Sequence, residues 1–497
     1  MPSNRIFTLL LFLTGVAVFP STAQNERILP REWKDLMEQI ASESDQVQDY
    51  RKITDDLYHY YRDPLNINRA DEDELSRLHL LNPFQIHSLI RYRKRYGDLL
   101  SVYELPVVYG FSVDLARKLE PFITTQGVAQ KETEPLPDPL SLFREGRQQV
   151  MLRAGSILEQ QRGFRKVSDS LMEIHPNQTY LGSACRLYAQ WSLRYRQRVR
   201  MGITLEKDPG ETFFREDNRH GFDYHSFHLF LKDTRWLSKV ALGDYDIRYG
   251  QGLLAWSGLT LSKSAMVLNQ VKSQAPIDPY TSANESNFFR GIALEKDLDP
   301  LSMSLFYSNR HIDANVTDTL DDGTKVFSSI LQTGYHRLPR ELTDERSVRE
   351  QVVGGNLRYN RSRVKVSFNG MHYRFDGRLI RSSRPENRYR FAGRSNTNVS
   401  LDYQVSLNRF YLFGEEALSA GEGKAFLNGI HGQLSPGVAM ILLHRHYDRD
   451  YQALYSSAFA EGARNQNEQG FYLGLEAEVS PRMVFRGYMD SWRFPWL

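Results

Sequence analysis

The chain has a single cysteine, Cys185, in 497 residues, so it cannot close an internal disulfide. No cysteine stands near the end of the apolar N-terminal stretch, which excludes a lipid anchor carried on an N-terminal cysteine. Beyond residue 24 there is no long apolar run, so no membrane-spanning helix is expected in the mature chain. Charge of one sign is also lacking: 63 Lys+Arg against 60 Asp+Glu leave +3, too little to argue for any partner. Catalytic signatures are scarce. There is no Gly-x-Ser-x-Gly elbow and no Cys/His pair in a useful context. Gly250-Gln251-Gly252 lacks the Lys-Ser/Thr and helix of a phosphate loop, and reads as a strand bend or a close backbone approach. Asp244, Asp246 and Arg248 share one polar strand face, and His444 and His446 are too few for a metal site. No catalytic residue, metal or cofactor is therefore expected, and the chain is read as a non-enzyme.

Several features are present. Arg5 followed by the apolar run 6–19 and the small residues Ser21-Thr22-Ala23 predicts a signal peptide over 1–23, with Gln24 starting the mature chain. Residues 24–61 read as helical and charged, with Trp33, Leu36, Ile40, Ile53 and Leu57 forming an apolar stripe that packs on residues 62–125. Within 62–125 a helical unit occurs twice. In the first copy Leu75 and Leu78, then Ile86, Leu89 and Ile90, keep one apolar face across an Asn82-Pro83 break, and Gly97 caps the end. In the second, Ser101 and Glu104 suggest a capping box, Gly110 marks the turn, Ser112 caps the next helix, and Leu115, Leu119 and Phe122 continue the stripe.

These residues resemble a tandem helix-hairpin-helix domain of the ComEA type. The likeness rests on Asn66-Ile67-Asn68-Arg69-Ala70, Glu74-Leu75, Ile90-Arg91-Tyr92-Arg93 and Tyr96-Gly97. The resemblance implies contact with nucleic-acid backbones through the amides that open each second helix. On it, the DNA-backbone candidates are Asn82, Phe84, Gln85, Arg91, Arg93, Lys94, Arg95, Gly110, Phe111 and Ser112. The family's hairpins read Gly-apolar-Gly. Here the first reads Leu81-Asn82-Pro83-Phe84-Gln85, with no glycine, and the second keeps one, in Gly110-Phe111-Ser112. Glycine allows the closest approach to a phosphate, so these departures count against DNA.

Residues 126–140 read as a linker, and from about Phe143 a period of two replaces the helical one. Between Cys185 and Leu205, Leu187, Ala189, Trp191, Leu193 and Tyr195 alternate with Arg186, Gln190, Ser192, Arg194 and Arg196, as two strands with a tight turn or one long strand. Tyr245, Ile247 and Tyr249 alternate with Asp244, Asp246 and Arg248, and Val399, Leu401, Tyr403 and Val405 with Ser400, Asp402, Gln404 and Ser406. A soluble sandwich or a β-solenoid would bury the apolar face. A membrane barrel would turn it to lipid, and the charged polar face suits a wet or salt-bridged lumen. The expected architecture is α+β and multidomain: a small all-α tandem helix-hairpin-helix domain, then a large antiparallel outer-membrane β-barrel over 141–497, with room for roughly 12 to 16 strands.

The two-part layout resembles outer-membrane proteins of Bacteroidetes-like bacteria. The matching residues are Gly243-Asp244-Tyr245, Arg248 to Leu253, Asn467 to Tyr472 and Trp492-Arg493-Phe494-Pro495-Trp496. Those relatives are longer, so the chain is expected to be a truncated one, with Pro495 awkward in a closing strand. The expected role is a periplasmic helical domain binding a polyanion such as DNA, below a barrel anchored in outer-membrane lipid. Arg186, Arg194, Arg196, Arg198 and Arg200 would then line a basic path, or else form salt bridges across the lumen. The alternative is a structural or assembly protein whose hairpins dock a periplasmic protein.

Overall fold

The computed structural model describes residues 47–126, 138–165, 167–214, 218, 221–258, 266–480 and 483–496. The expected signal peptide, the stripe residues Trp33, Leu36 and Ile40, and most of the linker lie outside them.

The helical unit opens with α1 (Val47–Arg62), β1 (Leu65–Asn66), α2 (Glu72–Ser76) and α3 (Pro83–Tyr96), and ends with α4 (Val113–Leu119) and β2 (Ile123–Thr124). Asp71 and Glu74 close a capping box that starts α2, and Asn82 and Gln85 close another that starts α3, with Pro83 in the first turn. Gly97, at φ +92°, ends α3. The second unit departs from expectation, because Val102–Val107 is a 3₁₀ turn interrupted by Pro106 rather than an α-helix. Ser101 caps it by accepting from Tyr103 N. Parallel pairing of β1 with β2 ties the two ends of the unit together. Ile53, Leu57, Leu75, Leu78, Ile86, Leu89, Leu119 and Phe122 form its buried core.

The next helix, α5 (Pro139–Glu145), lays Phe143 on Trp191. Eight strands come next: β3 (Arg147–Ser156), β4 (Cys185–Tyr195), β5 (Val199–Lys207), β6 (Tyr224–Lys232), β7 (Lys239–Ile247), β8 (Ile277–Pro279), β9 (Phe289–Leu298) and β10 (Leu301–Ile312). They continue with β11 (Ala314–Thr319), β12 (Lys325–Ile330), β13 (Val348–Arg361), β14 (Val364–Leu379) and β15 (Gly393–Leu407). The last are β16 (Phe410–Ser419), β17 (Lys424–Ser435), β18 (Val438–Tyr447), β19 (Glu468–Ser480) and β20 (Met483–Arg493). Together β3 to β20 make a closed barrel of 18 strands, more than the expected count because β8, β11 and β12 are short additions. Wall neighbours pair antiparallel. The seam joins β20 to β3. Both strands are largely exposed.

The wall is inside-out relative to a soluble sheet. Leu301, Met303, Leu305 and Tyr307 of β10 are exposed, while Ser304, Ser308 and Arg310 are buried. In β15, Asn396, Asn398, Ser400, Asp402, Gln404 and Ser406 all turn inward and Leu401 outward. No soluble sandwich places its serines inside and its leucines outside, whereas a lipid-facing barrel does. One end of the barrel has tight turns, as at 196–198, 362–363 and 408–409, and the other carries long connections, as at 313–347 and 448–467.

One expectation fails. Tyr245, Ile247 and Tyr249 do not face lipid. Gly243 has φ +86°, and all three residues enter a core inside the barrel. Of the two interiors expected, wet or salt-bridged, the lumen is packed and salt-bridged, because the segment between β7 and β9 folds into it and carries Leu253, Leu254 and Val271 against the wall.

Candidate functional site

The helical unit sits inside the tight-turn end of the barrel, and charge explains why. The sequence Asp71-Glu72-Asp73-Glu74 places four carboxylates at the start of α2. Lys232 pairs with Asp71 and Glu74, Lys239 with Asp73 at 2.5 Å, and Lys365 with Glu72. All three lysines belong to the wall. Deeper in, Asp278 accepts from Arg77 at 3.1 Å, from Arg200 at 2.7 Å and from Arg248 at 2.8 Å, joining helical unit, wall and inner segment in one buried network. Arg248 also donates to Asp246 at 3.2 Å.

The residues expected to meet DNA are used differently. The amides at the start of α3 are taken by its own capping box, with Asn82 N donating to Gln85 and Gln85 N to Asn82. Phe84 is fully buried against Tyr411 and His431 of the wall, with ring centres 6.4 and 5.0 Å away. Gly110 N donates to the wall residue Gln433 at 3.2 Å, and Gln85 Nε2 donates to Gly110 O at 2.8 Å. Phe111 is buried and Ser112 caps α4. Arg91 donates to Asn408 at 2.7 Å, and Arg93 donates to the carbonyls of Ile67 and Ala70. Only Lys94 and Arg95 of the expected set are exposed. Among the described residues, Asn82, Phe84, Gln85, Gly110 and Phe111 are engaged with the wall or with one another in this arrangement. A Cβ at Gly110 would stand 2.8 Å from Phe84, so this glycine makes room for a ring and not for a phosphate.

The expected basic path is likewise consumed. Arg186 pairs with Glu206 and Asp208, Arg194 with Asp56, and Arg200 with Asp278. Arg196 lies in the β4–β5 turn over Tyr195, and Arg198 donates to Asp233 O. Gly250-Gln251-Gly252 is the close backbone approach its sequence suggested. The amides of Gln251, Leu253 and Leu254 all donate to the buried carboxylate of Glu415, at 2.7, 2.9 and 3.3 Å. Gly250 has φ +56°, and a Cβ there would meet that carboxylate at 2.4 Å. His444 stacks on Phe471 while His446 pairs with Asp448, so these two histidines do not converge.

Sequence spacing could not reveal the long-loop end, because its groups come from distant segments. A cavity of about 860 Å³ opens there, lined by Tyr224, Phe288, Tyr455 and several arginines. Among the described residues, Arg381, Arg390 and Arg464 in its wall form no salt bridge. Burial and the charges of Arg464 and Arg390 push the Arg381 guanidinium below its usual range, and burial with Arg390 does the same to Arg464. On another side, Glu285, Asp313 and His336 line the cavity, with Glu211 and Asp223 beside them. Burial works against charge on His336, but hydrogen bonds to Asp223 and Asp313 raise it to about 11. Burial, then the Asp223 charge, raises Glu211 to about 8, and the same two causes lift Glu285 well above the carboxylate range.

The chain matches no known protein family and no curated protein. It is similar to solved porins. An anion-selective porin from Comamonas acidovorans aligns at 12% identity over 64% of this chain and 80% of that one, with a TM-score of 0.31. An OmpT of Vibrio cholerae lacking loop L8 aligns at 9% identity over 63% and 86%, with a TM-score of 0.27.

Proposed function

We propose that this chain is a non-enzymatic outer-membrane barrel protein that works as a closed receptor for an anionic solute rather than as an open pore. The observation that carries the reading is a filled lumen beneath an open, arginine-lined mouth. Phe84 of the helical unit and Leu253 of the inner segment share one buried cluster with the wall residues Phe413, Leu427 and Ile441. Water-filled porin lumens have no such plug. Tight turns face the periplasm in barrels of this kind, so the helical unit would stand at the periplasmic end and the cavity outside. Arg381, Arg390 and Arg464 then await an anion, since buried or crowded guanidiniums seek carboxylate or phosphate partners. The test is the full chain reconstituted in planar bilayers and titrated with citrate and inorganic phosphate. The expected result is no resting conductance, with saturable anion binding that falls at least tenfold in Arg390→Gln/Arg464→Gln. A steady open-pore conductance overturns the reading.

A second reading rests on the helical unit's outer face. Tyr96, Leu100, Tyr103 and Val107 are 65, 84, 74 and 71% exposed, an apolar patch of the kind that docks a protein. A periplasmic partner fits it. Lys94 and Arg95 lie beside the patch, so a polyanion is the competing partner there. A duplex-DNA salt series on the full chain separates the two. Affinity that falls steeply with salt and weakens in Lys94→Ala/Arg95→Ala carries the nucleic-acid reading. No binding at low salt leaves the protein partner.

A further inference from the structure

Two connections that are far apart in sequence bring metal-ligating groups together at the long-loop end. Glu211 lies between β5 and β6, Asp223 just before β6, Asp313 between β10 and β11, and His336 after β12. One ligand atom each from Glu211, Asp223 and His336 lies within 4.8 Å of the others. All three side chains are buried, at 2, 8 and 4% exposure.

We propose that Glu211, Asp223 and His336 form a site for one divalent transition ion of the Zn²⁺ or Mn²⁺ type, with Glu285 as a further oxygen donor.

Charge balance is the first argument. Glu211, Asp223, Asp313 and Glu285 bring four carboxylates around a single imidazole. Among the described residues no lysine or arginine makes an ion pair with any of them. Elsewhere in this molecule a buried carboxylate has its cation: Asp278 has three arginines. Buried anions in excess call for a cation. Glu285 adds to the excess, since its carboxylate has no hydrogen-bond donor among the described residues while it faces the same groups.

Orientation is the second argument. His336 Nε2 meets Asp313 Oδ2 at 2.9 Å, leaving Nδ1 directed at Asp223 and Glu211. A metal-binding imidazole characteristically hands its other N–H to a carboxylate, which fixes ring and tautomer. Asp313 is placed for that work. Glu211 is held by two backbone amides, from Asp208 at 2.6 Å and His336 at 3.2 Å, which fixes its carboxylate before any ion arrives. The ion would replace the proton shared by Nδ1 and Asp223. One nitrogen with two or three oxygens suits a borderline divalent ion better than calcium, which takes oxygen alone. Entry is through the cavity, which His336, Asp313 and Glu285 all line.

The experiment uses the full chain in detergent micelles, stripped with chelator and titrated with Zn²⁺, Mn²⁺ and Ca²⁺ against a chromophoric competitor. We expect one Zn²⁺ or Mn²⁺ per chain. His336→Gln should weaken it at least tenfold, and Asp313→Asn, acting through the ring, about tenfold. His444→Gln/His446→Gln should leave it unchanged. Glu285→Gln, which breaks no hydrogen bond in the described residues, tests the site in a fold that circular dichroism can show to be intact, with weaker binding expected. No stoichiometric ion, affinity indifferent to His336→Gln and Glu285→Gln, or Ca²⁺ bound as tightly as Zn²⁺ overturns the proposal. None of these outcomes depends on anion binding at Arg390 or Arg464.

Discussion

The two faces of β14 obey opposite rules. Outward, Val364, Val366 and Phe368 give way to His372, Arg374, Asp376 and Arg378 as the strand climbs from the tight turn. Inward, Lys365, Ser367 and Asn369 give way to Met371, Tyr373, Phe375 and Leu379. The exterior is apolar where lipid lies and charged where water begins. The interior is polar where the charged helical unit docks and apolar where the inner segment packs. Outside, only hydrophobicity is specified, because lipid accepts any apolar shape. Inside, Lys365 pairs with Glu72 and Asn369 donates to Asp402, because a packed interior is specified by shape and charge together.

That contrast can be broken by mutation, from the largest effect to the smallest. Asp278→Ala removes the carboxylate that Arg77, Arg200 and Arg248 share in the interior, leaving Arg248 with Asp246. The loss should exceed the ~3–5 kcal/mol of one broken buried pair. It should appear as a lower midpoint in urea unfolding and as protease cutting of the helical unit. Phe84→Ala, in the same interior but removing only packing, should cost about 3–5 kcal/mol in that assay. Glu415→Gln removes the charge that three amides grip, and should cost about 1.5–3 kcal/mol. It should also give intermittent conductance in bilayers as the inner segment loosens. A pH series should then act at the loop end. With His336 raised from 6.5 to about 11, its stabilising contribution is full below 6.5 and is lost as pH rises through about 11. Hydrogen exchange around 208–223 and 313–336 should therefore quicken with alkali once intrinsic rates are corrected, while the wall stays protected. Phe368→Leu, on the lipid side, should stay within about 0.5 kcal/mol. An effect there as large as that of Phe84→Ala would end the distinction between the faces.

Legibility in the sequence followed the same division. The outward alternation of β15 stands out because lipid contact leaves a period of two in a single segment. The capping boxes at Asp71/Glu74 and Asn82/Gln85 are equally local, though Asn82-Pro83 reads from sequence only as a break. Tyr245, Ile247 and Tyr249 mislead, since the same period of two serves residues that enter the core. The likeness of residues 66–97 to a phosphate-binding unit gives no sign of the barrel contacts. Phe84 and Gln85, which depart from the glycine pattern, are the residues that meet the barrel and the second hairpin. The acidic run 71–74 was the missed signal. Four carboxylates at a helix start look like ordinary N-terminal stabilisation until three wall lysines face them.

Local order was thus settled by the sequence itself: where helices begin, which strand residues alternate, which face is apolar, and that Gly250 and Gly252 must let backbone come close. Tertiary structure alone decided that the helical unit fills the barrel, that Asp278 joins three arginines, and that Glu211, Asp223, Asp313 and His336 meet. Alternation and capping depend on neighbours within a few residues of each other. Charge pairs across the barrel depend on partners more than a hundred residues away, as Lys232 and Asp71 are, and no spacing along the chain records them.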